Sequence, residues 1–180
     1  MRKKEYQVTD DTWIKKLLIR GAYGTIATVH ESQPYITPVI YIYQDTDHSI
    51  YFHGARTGRL RANINFNPKV AFNVSEFGKV LSHHDASEFN ITYNSVTVFG
   101  NAILIENEDQ GSTILKDLLK KYAPDLQEGI DFQPIKQEEI KITAVYRIQI
   151  QEWTGKRQVN SPEYLDSFDY PSINKRNKPS

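Results

Sequence analysis

The sequence predicts a mainly β protein, an antiparallel barrel with accessory helices. Roughly six strand patterns, rich in β-branched and aromatic residues, follow one another at the short spacing of hairpins. Three helix patterns are inserted among them rather than alternating with them, which argues against a doubly wound parallel sheet. A length of 180 residues is typical of one domain with a sizeable core.

The first helix pattern begins at residues 9–11, where Thr-Asp-Asp can cap it, and ends at Gly21. A strand pattern covers residues 25–30 and a turn covers residues 31–34. A long strand pattern then covers residues 35–43.

The side chains on both faces of this long strand are largely apolar, which predicts burial on both faces or contact with a ligand. Pro38 cannot donate a ladder hydrogen bond, so it predicts a sheet edge or a bulge. Backbone groups near Pro38 would then be free to bind something else.

The later part of the chain continues the alternation of strands and helices. Residues 77–94 are polar and irregular, which predicts a long loop. After Gly155 the composition is polar, which predicts a tail that is disordered or lies on a partner subunit. The remaining patterns are a strand at 49–54, a short helix after residue 58, strands at 69–76 and 95–106, a helix at 109–122 and a strand at 143–153.

Composition excludes several function classes. Lys plus Arg and Asp plus Glu both number 22, and this zero formal net charge argues against nonspecific nucleic-acid binding. The absence of cysteine excludes disulfides, thiolate metal sites and a cysteine nucleophile. The N-terminus has no apolar run, so we expect no signal peptide, no membrane segment and a soluble cytoplasmic protein.

Residues 51–60 (YFHGARTGRL) carry the strongest functional signal. A strand ends on small residues, and Thr57-Gly58 opens a short helix. The free N–H groups and positive dipole end of a helix N-terminus favour a phosphate. A structural interpretation, in which the glycines form a turn and Thr57 caps the helix, remains equally open. Charge-assisted hydrogen bonds can come from three arginines, Arg56, Arg59 and Arg61.

Four segments occur in an order and spacing that resemble one family. They are the basic start Arg2-Lys3-Lys4 with the first helix, residues 24–28 with 35–41, residues 51–60 with 67–70, and residues 95–102 with the helix to 122–124. Together they resemble the flavin-binding split-barrel proteins of the pyridoxamine 5'-phosphate oxidase-like superfamily, most closely the nitroimidazole-resistance (Nim)-related branch.

This resemblance implies a six-stranded antiparallel split barrel of the FMN-binding type at residues 1–157, followed by a polar tail at 158–180. It implies a homodimer with the flavin at the subunit interface, the ring against residues 38–40 and the phosphate on residues 55–59. FAD or a deazaflavin is less expected. The implied cofactor-binding residues are Pro38, Val39, Ile40, Phe52, His53, Gly54, Ala55, Thr57, Gly58, Arg59, Ser95 and Lys156, with Ser95 and Lys156 reaching across the dimer.

Two positions depart from the family. Arg59 stands where a lysine is common, and an arginine still binds phosphate, in a bidentate manner. Vitamin B6 oxidases proper have a histidine after the C-terminal tryptophan, whereas Trp153 is followed by Thr-Gly-Lys-Arg. We therefore do not expect oxidation of pyridoxamine phosphate.

Three histidines and one tryptophan are further candidates for chemistry or metal binding. His53 is either a catalytic proton donor beside the flavin or a barrel-wall residue. Adjacent histidines rarely ligate one metal, so His83-His84 predicts a solvated loop and no metal site. Trp153 either stacks on a flavin or closes the barrel, and a strand tryptophan more often does the second.

The preferred hypothesis is an FMN-dependent oxidoreductase of a small organic substrate, such as a nitro compound. The alternative is a non-catalytic flavin- or haem-binding protein for storage, sensing or sequestration. A barrel that binds single-stranded nucleic acid on Tyr41, Tyr43 and Tyr51 is disfavoured by the zero net charge.

Overall fold

The computed structural model describes residues 4–170, which form nine strands, four α-helices and two short 3-10 turns. Arg2 and Lys3 of the basic start and residues 171–180 of the predicted tail lie outside the described residues. The helices are α1 (Asp11–Arg20), α2 (Arg59–Phe66), α3 (Glu108–Tyr122) and α4 (Gln137–Ile142). The strands are β1 (Gln7–Val8), β2 (Gly24–His30), β3 (Gln33–Val39), β4 (Tyr41–Gln44), β5 (Ser49–Ala55), β6 (Lys69–Ser82), β7 (Asn90–Leu104), β8 (Thr143–Gln158) and β9 (Asp166–Asp169).

The sheet is antiparallel and its two ends meet. Its order is β3-β2-β6-β7-β8-β5-β4, so β3 and β4 are the terminal strands. A single residue, Ile40, separates them in the chain. Because neighbouring Cα atoms are 3.8 Å apart, the sheet must roll up until its two edges almost touch. The result is a barrel split at Ile40, and the predicted fold class is confirmed. The strand count differs, because the sheet has nine strands within the described residues where six were predicted.

The predicted strand at residues 35–43 is therefore two strands on opposite edges of the sheet. Burial on both faces is correct for β4, whose first three residues are buried, and wrong for β3, which alternates between exposed and half-buried residues. The predicted turn at 31–34 is shorter than expected. Only Glu31 and Ser32 take positive φ, of 48° and 64°, and β3 begins at Gln33.

The loop predicted at residues 77–94 is mostly wrong. β6 extends to Ser82 and β7 begins at Asn90, and the two pair as a ribbon with a bulge between Phe77 and Val80. This ribbon is largely solvated, so its sequence lacks the alternation of apolar and polar residues that predicts a strand. The bulge also shifts the alternation of the two faces by one residue. β8 also runs past residue 153 to Gln158, and β9 pairs with the edge of β6 at Lys79–Ser82.

The first helix fills one end of the barrel. Asp10 caps α1 by accepting from the Thr12 N–H at 2.8 Å, and Gly21 ends the helix, as predicted. Its Ile14, Leu17 and Leu18 are buried in the same core as the inward side chains of the strands. A second cluster lies outside the barrel wall, where α3 packs on Ile42, Tyr51 and Val145.

None of the helices within residues 4–170 combines the length and the apolarity needed to cross a bilayer. The cytoplasmic location stays a prediction.

Candidate functional site

A cleft of about 510 Å³ lies where the end of β3 faces the connection from β5 to α2. Its volume falls within the roughly 300–1,000 Å³ typical of small-molecule sites. All of the predicted cofactor-binding residues except Phe52, Ser95 and Lys156 line it. The lining residues are Tyr35, Thr37, Pro38, Val39, Ile40, His53, Gly54, Ala55, Thr57, Gly58, Arg59 and Leu60.

One wall of the cleft is the N-terminus of α2. The N-cap is Gly58, with φ 109° and ψ 177°, a region that is nearly restricted to glycine. No side chain caps this helix and no acidic residue lies in its first turn. The first N–H groups of a helix have no partner within it, so this end can receive an anion.

The three candidate arginines have different roles. Arg59 lines the cleft, and its guanidinium lies 5.2 Å from the centre of the Tyr35 ring on β3. Arg56 turns away and donates to the Ile140 carbonyl at 3.4 Å. Arg61 contacts the Tyr146 hydroxyl, where it partly offsets the rise that burial causes in the tyrosine pKa. Arg59 is therefore the arginine placed for an anion in the cleft.

The opposite wall is an edge strand. β3 pairs with β2 alone among the described strands, so its other edge presents free backbone groups, and Pro38 lies on an edge as predicted. The Thr37 Oγ1 atom is buried with no hydrogen-bond partner among residues 4–170. The cleft thus joins an anion-binding end to a polar backbone edge.

His53 lies at the inner end of the cleft. It follows Phe52 on β5 and pairs in register with Val145 of β8. Burial lowers the pKa of its imidazole, which favours the neutral form. Within the described chain its Nδ1 is buried and has no hydrogen-bond partner. A neutral imidazole can donate with one nitrogen and accept with the other.

Three predicted residues lie elsewhere. The Phe52 side chain is fully buried in the barrel, stacked on Tyr146 with ring centres 5.0 Å apart, so it does not reach the cleft. Ser95 and Lys156 are cross-strand partners on β7 and β8. Ser95 Oγ accepts from Asn73 Nδ2 at 3.0 Å. Both stand away from the cleft of their own chain.

Ser95 and Pro38 nevertheless share the outer face of the sheet. The register pairs Pro38 with Thr25, Thr25 with Asn73, and Asn73 with Thr97, two residues from Ser95. Side chains two residues apart on a strand point to the same face. A partner packed on this face would therefore meet Ser95 and Lys156 on one side and the mouth of the cleft on the other.

Trp153 packs against the barrel core, and its Nε1 donates to Asp11 Oδ1 at 3.0 Å. This agrees with the barrel-closing interpretation. His83 Nδ1 accepts from the backbone N–H of Asp85 at 3.1 Å, and His84 is exposed. Residues 4–170 contain no group of three or more possible metal ligands.

Three cleft residues, Tyr35, Thr37 and Leu60, are not among the cofactor-binding residues predicted from the sequence. Thr37 shares a strand with Pro38, so the resemblance that placed residues 38–40 against a ligand could have included it. Leu60 ends the segment 51–60 that carries the strongest functional signal, and Tyr35 begins the strand pattern 35–43, but nothing local to either residue indicates that it lines the cleft. Tyr35 faces Arg59 only because the fold brings β3 beside α2.

Comparisons with known proteins agree with this fold. The model of the family described as "Pyridoxamine 5'-phosphate oxidase" matches residues 10–157. No curated protein matches the chain.

The similar solved structures include the following three, each less than one quarter identical to this chain. The flavocytochrome Anf3 from Azotobacter vinelandii is 23% identical, with TM-score 0.80 over 100% of this chain and 78% of that chain. An FAD- and haem-binding protein from Mycobacterium smegmatis is 20% identical, with TM-score 0.77 over 87% and 75%. A putative 5-nitroimidazole antibiotic resistance protein from Bacteroides thetaiotaomicron is 17% identical, with TM-score 0.70 over 84% and 86%.

Proposed function

The chain belongs to the pyridoxamine 5'-phosphate oxidase family, and we propose that it is an FMN-binding homodimer that reduces or oxidises a small organic substrate. The observation that carries this proposal is the cleft itself. A helix N-terminus without a cap or an acidic residue, one arginine and a free strand edge lie around about 510 Å³.

The chemistry of the two walls fits a flavin mononucleotide. The phosphate would bind the N–H groups at Thr57 and Gly58 and the guanidinium of Arg59. The ring would lie along residues 38–40, where backbone donors and acceptors can pair with its pyrimidine edge. Because this edge belongs to a terminal strand, a ligand can take the place that a further strand would occupy.

The outer face of the sheet supports a dimer. Ile36, Ala27, Ala71 and Phe99 form one row across four strands. Ile36 and Phe99 are 64% and 45% exposed. An apolar row of this kind is a typical interaction surface. A second copy on this face would cover it and bring Ser95 and Lys156 to the neighbouring cleft.

When bound, a flavin supplies the electron transfer, and the protein binds, orients and shields it. Arg59 and the start of α2 would hold the phosphate end, and the β3 edge would fix the ring. His53, held neutral by burial, would donate or accept a proton at the substrate.

A second candidate function is non-catalytic flavin or haem binding. It is favoured by the similarity to a flavocytochrome and to an FAD- and haem-binding protein. It would use the same cleft, and turnover with reduced nicotinamide and candidate acceptors separates it from the first. A coloured protein that is inert with all acceptors would support it.

The first test is the absorption spectrum and mass of the molecule that copurifies, which also distinguishes FMN from FAD. The second is titration of the ligand-free protein with FMN and with riboflavin. Arg59→Ala should weaken FMN binding about 10- to 100-fold, as expected for a charged hydrogen bond, and leave riboflavin binding unchanged.

Lys16→Ala is the matched control, because it removes one exposed cation from α1. It should bind both ligands like the wild type. Protein that neither retains nor binds any flavin would refute the proposal.

A further inference from the structure

A second cavity of about 270 Å³ adjoins the cleft. It lies outside the barrel wall, between α3 and the segment that leads into α4. Leu115, Leu118 and Leu119 form the α3 side, and Ile135 forms the other side. Ile40 and His53 line both this cavity and the cleft, so the two spaces meet at these residues.

The polar groups of this cavity are accounted for, with one exception. The Thr143 hydroxyl donates to the Glu139 carbonyl at 2.7 Å. The Tyr122 hydroxyl donates to the Tyr41 carbonyl at 3.2 Å and accepts from the Tyr41 N–H at 3.1 Å. His53 is the exception. Its Nδ1 has no partner within residues 4–170, but protein atoms cover it, so a ligand would meet the other atoms of the imidazole.

The lining determines the charge of the occupant. No lysine, arginine, aspartate or glutamate lines the cavity, and burying an unpaired charge in such surroundings is strongly unfavourable. Burial also lowers the pKa of the His53 imidazole, which favours its neutral form. An occupant must therefore be uncharged and mostly apolar.

The packing of α3 on the barrel stops short of His53 and leaves its imidazole beside an apolar space. A neutral imidazole has one donor and one acceptor nitrogen. The lining therefore fits a ligand that is apolar over most of its surface and has one hydrogen-bonding group for the imidazole.

We propose that this cavity is the substrate subsite, which takes an uncharged, apolar ring of a small molecule with one hydrogen-bonding group on the His53 imidazole. The subsite rests on the proposed function for its role, because a substrate here would lie beside the ring of a flavin in the cleft. A phosphorylated substrate is excluded from it by the uncharged lining.

The test uses FMN-loaded protein and two probes that share one ring system. 2-Naphthol is neutral and has one hydroxyl, whereas 2-naphthoate carries a charge. Equilibrium dialysis should show one 2-naphthol bound per chain and binding of 2-naphthoate at least roughly tenfold weaker. Flavin content is measured separately by absorbance.

Variants locate the probe. Ile135→Trp should fill the cavity and lower 2-naphthol affinity at least tenfold while FMN is retained. His53→Gln should lower it about fivefold, which is the worth of one ordinary hydrogen bond. Ile130→Trp is the control, since Ile130 is 78% exposed and lines neither space.

Each outcome decides the proposal. FMN-loaded protein that binds no 2-naphthol, or binds it equally in Ile135→Trp, overturns the subsite and leaves the proposed function standing. Binding of 2-naphthol only when FMN is absent also overturns the subsite, because the cavity then belongs to the flavin. Binding by protein that takes up no FMN would support the pocket and refute the proposed function.

Discussion

Gly58→Ala tests the anion-binding wall without removing any of its donors. The added methyl group keeps the backbone N–H. Nothing lies within 4 Å of an added Cβ, so steric contact with the rest of the protein adds no cost. What remains is backbone strain, because Gly58 has φ 109° and ψ 177°. A non-glycine residue in this region costs about 1–3 kcal/mol.

This strain must appear in the stability of the FMN-bound state. If the loop keeps its shape without FMN, the free protein loses about 1–3 kcal/mol of unfolding free energy and the FMN affinity is unchanged. If the free loop relaxes, stability is nearly kept and FMN binding weakens about 5- to 150-fold. In either case, the loss in unfolding free energy of the free protein and the loss in FMN binding free energy add up to about 1–3 kcal/mol.

Urea unfolding of the free protein and fluorescence titration with FMN measure the two terms. Gly129→Ala is the matched control, since Gly129 has φ 85° and open space around it, and lies outside the cleft. It should lose stability and keep FMN affinity. A Gly58→Ala protein that matches the wild type in both terms would refute the reasoning, and so would an equal affinity loss in Gly129→Ala.

Two further predictions concern the parts of the fold that support the site. Glu76 accepts from Arg20 Nε and Nη2, both at 2.8 Å, and this pairing lowers the pKa of the Glu76 carboxyl. The stability it contributes is therefore present above the ordinary carboxyl pKa and is lost as pH falls through the lowered one. Both side chains are about 34–45% exposed, so Glu76→Gln should lower the free energy of unfolding by only about 0.5–1 kcal/mol at pH 7. This loss should shrink as pH falls below the ordinary carboxyl pKa, as measured by urea unfolding over an acidic pH series. A loss that is the same at every pH would contradict this linkage. Tyr122→Phe removes the hydroxyl that pairs with both backbone groups of Tyr41, next to the Ile40 corner. It should lower the free energy of unfolding by about 1–2 kcal/mol and speed amide hydrogen exchange at Tyr41 several-fold. Amide exchange at Val98 in the barrel should stay slow. Unchanged exchange at Tyr41 would show that α3 does not stabilise the backbone next to Ile40.

The anion-binding wall was predictable because its determinants are contiguous. The small residues that end β5, the glycine at the N-cap and Arg59 lie within residues 53–59. Conformation over so short a segment depends mainly on local sterics and capping. The same is true of α1, whose limits at Asp10 and Gly21 follow from capping.

The opposite wall depended on barrel closure. The sequence pattern of residues 35–43 predicts one strand, because no glycine marks the break at Ile40 and the nearest proline, Pro38, lies two residues before it. Only the closure of the sheet separates β3 from β4 and brings Tyr35 to Arg59. For the same reason, the sequence did not show that Phe52 points into the barrel. The residue pattern by itself offered three arginines, among which the family resemblance named Arg59.

By itself, the sequence determined the class of fold and the segment that can hold a phosphate, because alternation, hairpin spacing and a glycine-opened helix are local properties. The tertiary structure decided what stands opposite that segment. It set the free edge of β3 across from Arg59, placed His53 in the lining of two cavities, and put Ser95 and Lys156 on the outer face of the sheet. Strand pairing joins residues far apart in the chain, and a periodic pattern does not specify which edges will meet.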